Sequence, residues 1–179
     1  MTDVIEREVK LKLTNKNIEQ ILEKLKSEGY TIDKEVERDI YLNGEYRDFR
    51  KTDEALRLRI TNKGAELTYK GPKMSVRSKS REEITVGITD YETMLKILTK
   101  LGFNPVHEVQ KIRYYIKINN FTICLDKVQD LGDFIEIEGI NSDEEELLGF
   151  TQYFMKKYNI EGEKLTKSYL ELLVGKNGN

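Results

Sequence analysis

The chain has 179 residues, enough for one domain with a real core, and 35% of them are charged, 30 basic against 32 acidic. That balance argues against nucleic-acid or membrane-surface binding; with no membrane-spanning run and no signal-peptide core at the N-terminus, the chain reads as cytoplasmic. One cysteine, Cys124, excludes an intrachain disulfide, and with one histidine, His107, it excludes the usual His/Cys zinc sites, so a metal here takes oxygen ligands.

Residues 5–12 read Ile5-Glu6-Arg7-Glu8-Val9-Lys10-Leu11-Lys12. As a strand they put Glu6, Glu8, Lys10 and Lys12 on one face and Val9, Leu11 and Leu13 on the other. Two carboxylates about 7 Å apart, with an ammonium one step on, suit a divalent cation beside an anionic ligand. A single strand of this kind is more often a one-sided solvated strand, so function depends on whether other strands repeat the pattern.

Residues 15–28 carry Ile18, Ile21, Leu22 and Leu25 at helical spacing, and Gly29 stops the helix. A strand over 34–42 follows, then a polar, charged loop over 43–54. Strands over 55–61 and 65–70 form a hairpin around Asn62-Lys63-Gly64, and Gly71-Pro72 ends it. The basic segment 73–80, with Arg77 and Lys79, reads as a mobile loop, either solvated or able to close over a bound ligand.

The pattern then restarts with a strand over 81–88 and a helix that Thr89-x-x-Glu92 opens as a capping box. Ile18, Ile21, Leu22, Leu25 and Gly29 recur as Tyr91, Met94, Leu95, Leu98 and Gly102, each 73 residues later, and Tyr41 recurs as Tyr114. Strands over 106–118, 121–128 and 134–140 complete a second strand–helix–three-strand unit. The reading is one domain over 1–179, with repeats at about 1–72 and 80–140 and a helical tail over 141–179. In that tail Ser142-x-x-Glu145 caps a helix to about Tyr158, the run from Asp143 to Glu146 is a helix N-terminus, and a short helix covers 166–172.

Charge falls on one face of every strand. Arg57 and Arg59; Glu66, Thr68 and Lys70; Arg81, Glu83 and Thr85; Lys111, Arg113 and Tyr115; Asp126; and Glu136 and Glu138 oppose apolar faces such as Leu56-Leu58-Ile60 and Ile135-Ile137. The pattern fits an open sheet with a solvated charged face, or a sheet of about eight strands curled so that charge lines the interior and helices cover the outside. Pairs of like charge favour the second, because a metal between carboxylates and an anion between guanidinium groups relieve their repulsion. His107 reads as a surface or capping residue and Cys124 as a buried, inert thiol.

The stretch Glu6-x-Glu8-x-Lys10 resembles the signature of the CYTH superfamily, which takes in class IV adenylyl cyclases and thiamine and inorganic triphosphatases. Asp39-Ile40-Tyr41, Leu56-Arg57-Leu58-Arg59, Tyr69-Lys70-Gly71-Pro72, Arg81-Glu82-Glu83, Lys111-Ile112-Arg113, the segment from Leu125 to Glu138 and Ser168-Tyr169-Leu170-Glu171 follow in order, so the resemblance covers nearly the whole chain. The runs VQKIRYYI and LDKVQDLGDFIEIE are most similar to the class IV cyclase branch.

The resemblance implies an α+β fold: an eight-stranded antiparallel β-barrel, a triphosphate tunnel, with helices packed outside and two βαβββ repeats. It implies metal ligation by Glu6, Glu8, Asp126, Glu136 and Glu138, not all on one ion, with Mg2+ or Mn2+. It implies triphosphate contacts from Lys10, Arg57, Arg59, Lys70, Lys111 and Arg113, with Glu83 in the tunnel behind the ligands or on a second metal. A homodimer is implied too, though no stretch is diagnostic of its interface. The substrate is a small triphosphate such as ATP. Cyclisation of ATP to cyclic AMP and pyrophosphate, and hydrolysis of thiamine, inorganic or nucleoside triphosphate, both remain open. So does a non-catalytic polyphosphate-binding protein, although a binder needs few of these carboxylates. A plain structural sheet is disfavoured by the segregated charge.

Overall fold

The computed structural model describes residues 4–74, 79–139 and 142–177. The strands are β1 (Val4–Leu13), β2 (Asp33–Gly44), β3 (Ala55–Thr61), β4 (Ala65–Lys70), β5 (Lys79–Ile88), β6 (Phe103–Ile118), β7 (Phe121–Val128), β8 (Gly132–Gly139) and β9 (Gly162–Leu165). The helices are α1 (Ile18–Ser27), α2 (Phe49–Thr52), α3 (Tyr91–Lys100), α4 (Glu144–Lys157) and α5 (Tyr169–Asn177).

Every pairing is antiparallel, in the order β5-β4-β3-β2-β6-β7-β8-β1. The N-terminal half of β1 pairs back to β5, from Val4 opposite Glu83 to Glu8 opposite Lys79, so eight strands form a ring. β9 lies along the remaining part of that edge, with Lys10 opposite Leu165.

The two-residue period then decides what lies inside. Val9, Leu11, Ile123, Leu125, Ile135 and Ile137 point outward into a core completed by α1 and α4. Ile40, Leu42, Leu56 and Leu58 point outward under α2 and α3, against Phe49 and Leu98. The charged residues between them face the barrel interior. Ile84 and Val86 of β5 also point outward but stay exposed, unlike the apolar faces that carry helices.

The helix stops are where the glycines suggest. Gly29 and Gly102 take φ of +84° and +88°, the left-handed geometry that ends a helix without a Cβ clash. The starts slip by one residue. The expected box on Thr89 gives way to Asp90, which accepts from the Thr93 amide at 3.0 Å. The expected box on Ser142 gives way to Asp143 and Glu146, which cap each other reciprocally. In each case a carboxylate one position later caps as well as a hydroxyl and also meets the positive end of the helix dipole.

Two elements were not foreseen. The 43–54 loop contains α2, a single turn held because the Asn43 side chain accepts from the Phe49 amide at 2.8 Å and donates to Asp48 at 2.9 Å. Segment 162–165, read as helical tail, is strand β9. The last helix also runs further than 166–172, covering Tyr169–Asn177. Residues 75–78, with Arg77, and the side chain of Lys79 lie outside the described residues.

Candidate functional site

The barrel encloses a cavity of about 220 Å³ lined almost wholly by ionisable side chains. β3 and β4 bring Arg57, Arg59, Glu66 and Lys70 to it; β8 brings Glu136 and Glu138; β1 brings Glu8 and Lys10. Charges this far from water persist only when paired, and most of them are.

One group of partners centres on β2 and β6. Arg59 grips Asp39 with two hydrogen bonds, at 2.6 and 2.8 Å, and reaches Glu37 at 3.0 Å. Lys111 meets Glu37 at 2.9 Å, and Tyr115 donates its hydroxyl to Glu37 at 2.8 Å. Burial works to raise the Glu37 carboxyl, but Lys111, Arg113 and Arg59 overcome it and hold it at about 2. The same contest holds Asp39 far below the ordinary carboxylate range.

A second group centres on Arg113. It grips Asp126 with two hydrogen bonds, at 2.6 and 2.5 Å, and also pairs with Glu136. Tyr169, the first residue of α5, donates its hydroxyl to Asp126 at 2.7 Å. Its ring faces the Lys10 ammonium at 4.0 Å and Lys111 at 5.4 Å, so the end of α5 closes this end of the barrel with cation–π contacts. Lys10 also meets Glu136 at 2.9 Å.

The third group is different. One carboxylate oxygen each from Glu8, Glu136 and Glu138 lies within 4.8 Å of the others. Burial and the nearby carboxylates Glu8, Glu136 and Asp126 push Glu138 up to about 7, although Arg113 opposes them. Three clustered carboxylates, Glu8 and Glu136 buried and Glu138 half-buried, are a fitting cage for a hard divalent cation, which prefers oxygen donors.

Among the expected ligands, Glu8, Glu136 and Glu138 come together. Asp126 is committed to Arg113 and Tyr169 instead, and the side chain of Glu6 lies outside the described residues. All six expected triphosphate contacts, Lys10, Arg57, Arg59, Lys70, Lys111 and Arg113, line the cavity. Glu83 lines it too, paired with Lys70. Arg57 donates to Glu66 at 3.2 Å and Thr68 at 3.3 Å, yet its buried Nε has no hydrogen-bond partner among the described residues. That donor is available to an anion in the cavity.

Cys124 is buried, and burial raises its thiol; its Sγ lies 3.8 Å from Glu138 as a weak donor. His107 is exposed. Glu37 and Tyr169 were missed by sequence reasoning. Glu37 shares the two-residue period with Asp39 and Tyr41, opposite Ile40 and Leu42, which is signal enough to find it. Tyr169 stands in the Ser168-Tyr169-Leu170-Glu171 stretch of the resemblance, but a helix end carries no alternation that would give it a role.

The CYTH domain family matches residues 4–169. The chain is similar to a Methanocaldococcus jannaschii protein named "Putative adenylate cyclase MJ0240", with 43% identity over 94% of this chain and 98% of that one. It is similar to the structure of the PH1819 protein from Pyrococcus horikoshii OT3, at a TM-score of 0.82 and 39% identity, covering 96% of this chain and 99% of that one. It shares its fold with a Hippeastrum protein whose structure is described as a "putative adenylyl cyclase HpAC1" with "a dominant triphophatase activity", at a TM-score of 0.75 and 20% identity over 97% of this chain and 96% of that one.

Proposed function

The chain belongs to the CYTH domain family, and on that premise we propose that it is a divalent-cation-dependent enzyme of triphosphates, converting ATP to cyclic AMP and pyrophosphate. One observation carries the reading: a cage of three carboxylates shares a barrel interior with a wall of arginine and lysine. The cyclase name of the 43% identical relative supports the finer assignment.

Glu8, Glu136 and Glu138 would hold Mg2+ or Mn2+. The chemistry such an ion would supply is positive charge to offset that which builds up as the phosphoryl group transfers. Arg57, Arg59 and Lys70 hold the triphosphate from the facing wall, with the Arg57 Nε as a donor already desolvated. Arg57 and Arg59 are buried in the barrel wall, so these charges act at lower dielectric than in bulk water and are already oriented. In cyclisation the 3′-hydroxyl of the substrate attacks the α-phosphorus, the bond to the β-phosphate oxygen breaks and pyrophosphate leaves.

A second reading is a triphosphatase, in which water attacks the terminal phosphorus. It is favoured by the fact that the cavity wall addresses phosphate: the hydroxyls of Tyr115 and Tyr169 are both spent on carboxylates. Product analysis separates the two. Incubation with Mg2+ or Mn2+ and, in turn, ATP, thiamine triphosphate and inorganic triphosphate should give cyclic AMP and pyrophosphate from ATP. Orthophosphate without a cyclic product would replace the cyclase with the triphosphatase. No turnover of any of the three would overturn both.

A further inference from the structure

Glu37 is 1% exposed and stands behind the residues that line the ionic cavity. Three basic groups of that lining nevertheless reach it, Arg59 from β3 and Lys111 and Arg113 from β6. Register explains this. Glu37 lies opposite Lys111 on one side and Thr61 on the other, which makes Arg113 and Arg59 its diagonal neighbours on the inward face. Its two oxygens face different partners. Oε1 accepts from the Tyr115 hydroxyl at 2.8 Å and faces Arg113 at 3.9 Å. Oε2 lies 2.9 Å from the Lys111 ammonium and 3.0 Å from Arg59, yet takes no hydrogen bond among the described residues. Charge therefore fixes the Lys111 ammonium here without spending one of its donors.

Neutralisation does not require Glu37. Arg59 has Asp39 in two hydrogen bonds, Lys111 has Asp39 at 3.6 Å, and Arg113 has Asp126 in two hydrogen bonds. What Glu37 adds is position. Arg59 and Arg113 repel each other, and a carboxylate in reach of both, and of Lys111, keeps the three in one group. Without it, Arg59 and Lys111 would draw on the one carboxylate of Asp39, and Arg113 would turn wholly to Asp126 and Glu136.

We propose that Glu37 is a positioning residue for triphosphate: without touching the ligand, it holds Lys111, Arg59 and Arg113 at the spacing a phosphate chain meets. On the reading that the tunnel binds triphosphate, as proposed above, this is the group that sets the geometry of its basic wall. The sign of its effect separates position from charge. By charge alone Glu37 would weaken the binding of an anion, because it offsets the cations beside it. By holding those cations ready it strengthens binding.

The test is titration calorimetry with diimidotriphosphate, an inert triphosphate analogue, in Mg2+. Glu37→Gln keeps the shape and an acceptor for Tyr115 but removes the charge, and should bind the analogue about tenfold more weakly. Glu37→Asp keeps the charge but draws it back by one methylene, away from partners it must meet on both sides. It should bind about threefold more weakly, and it decides the matter if circular dichroism shows that Glu37→Gln does not fold. In a Lys111→Met chain, where one of the held groups is already gone, Glu37→Gln should weaken binding by less than about threefold. Unchanged or tighter binding by the Glu37 variants would overturn the positioning role while sparing the tunnel. Equal losses with and without Lys111 would do the same, since a merely structural residue acts independently of it. Failure of the wild type to bind the analogue would overturn the tunnel reading and this inference with it.

Discussion

The β3–β4 and β7–β8 hairpins stand on opposite sides of the same ring, two strands apart in either direction, and carry opposite charge. Each sends alternate residues inward. From β3–β4 these are Arg57, Arg59, Glu66, Thr68 and Lys70; from β7–β8 they are Cys124, Asp126, Glu136 and Glu138. Outward, both carry aliphatic residues under helices. The packing of the barrel therefore sets only which positions face inward. What differs between the hairpins is the chemistry put there, and the difference creates one wall for cations and one for anions across a narrow space. Neither wall is useful alone: carboxylates without an ion between them repel, as the raised Glu138 indicates, and an unpaired guanidinium Nε is a buried donor without an acceptor.

The sharpest way to break the contrast is to weaken the acidic wall at Glu8, the member of the carboxylate cage that β1 supplies. Glu8 lies 4.0 Å from Lys10, whereas Glu136 meets both Lys10 and Arg113 closely. Glu8→Gln should therefore lower metal-dependent kcat/KM by about 10³-fold with little change in melting temperature. Full activity in that variant would remove the carboxylate cage from the mechanism. On the opposite wall, Arg57→Gln takes away a phosphate donor and should raise KM about 30-fold with a smaller loss in kcat. An unchanged KM would mean that the basic wall is structural.

Asp126 tests whether position on the acidic wall is enough. By sequence it belongs with Glu136 and Glu138; by contacts it belongs with Arg113 and Tyr169. Asp126→Asn should cost about 1–3 kcal/mol of stability, because it takes one carboxylate from a buried guanidinium that Glu136 still meets, and should leave Mg2+ affinity much nearer wild type than Glu8→Gln does. Equal losses of Mg2+ affinity in the two variants would return Asp126 to the metal. Alternation told which residues face inward, from Glu8 to Glu138, and like-charge pairs told that an ion and an anion belong between them. Alternation cannot tell how side chains sharing an interior divide their partners, since that depends on which strands the ring brings face to face. The pairing of β6 with β7 puts Arg113 opposite Asp126, and no local pattern announces it.

Acidity gives a smaller effect. Glu138 titrates near 7, so protons compete with a metal there below that pH. Mg2+ affinity should fall about tenfold per unit as pH drops from about 7 to 6. Without metal the sign for the fold is the reverse of an ordinary paired carboxylate. A carboxyl raised from 4.5 to about 7 binds its proton more tightly folded than unfolded. The metal-free protein should therefore lose stability from this group as pH rises across that interval, and saturating Mg2+ should remove the loss. Thermal melts at pH 5 and 8, with and without Mg2+, check both signs. A metal-free protein no less stable at pH 8, after allowance for other groups, would mean that Glu138 ionises normally.

The least effect belongs to the plug between the walls. Tyr169 is held from both sides, by its hydroxyl on Asp126 and by its ring beneath the Lys10 ammonium. Tyr169→Phe removes only the first contact, leaving one lone pair of Asp126 unmet while Arg113 still grips the carboxylate. It should cost about 1 kcal/mol of stability and leave kcat/KM within about threefold of wild type. Tyr169→Ala also removes the ring that edges Phe134 at 5.0 Å and faces Lys10, so it should open the α5 end and cost about 3–5 kcal/mol. If the two variants proved equally mild, α5 would not close the barrel in solution, and the acidic and basic walls would meet water at both ends.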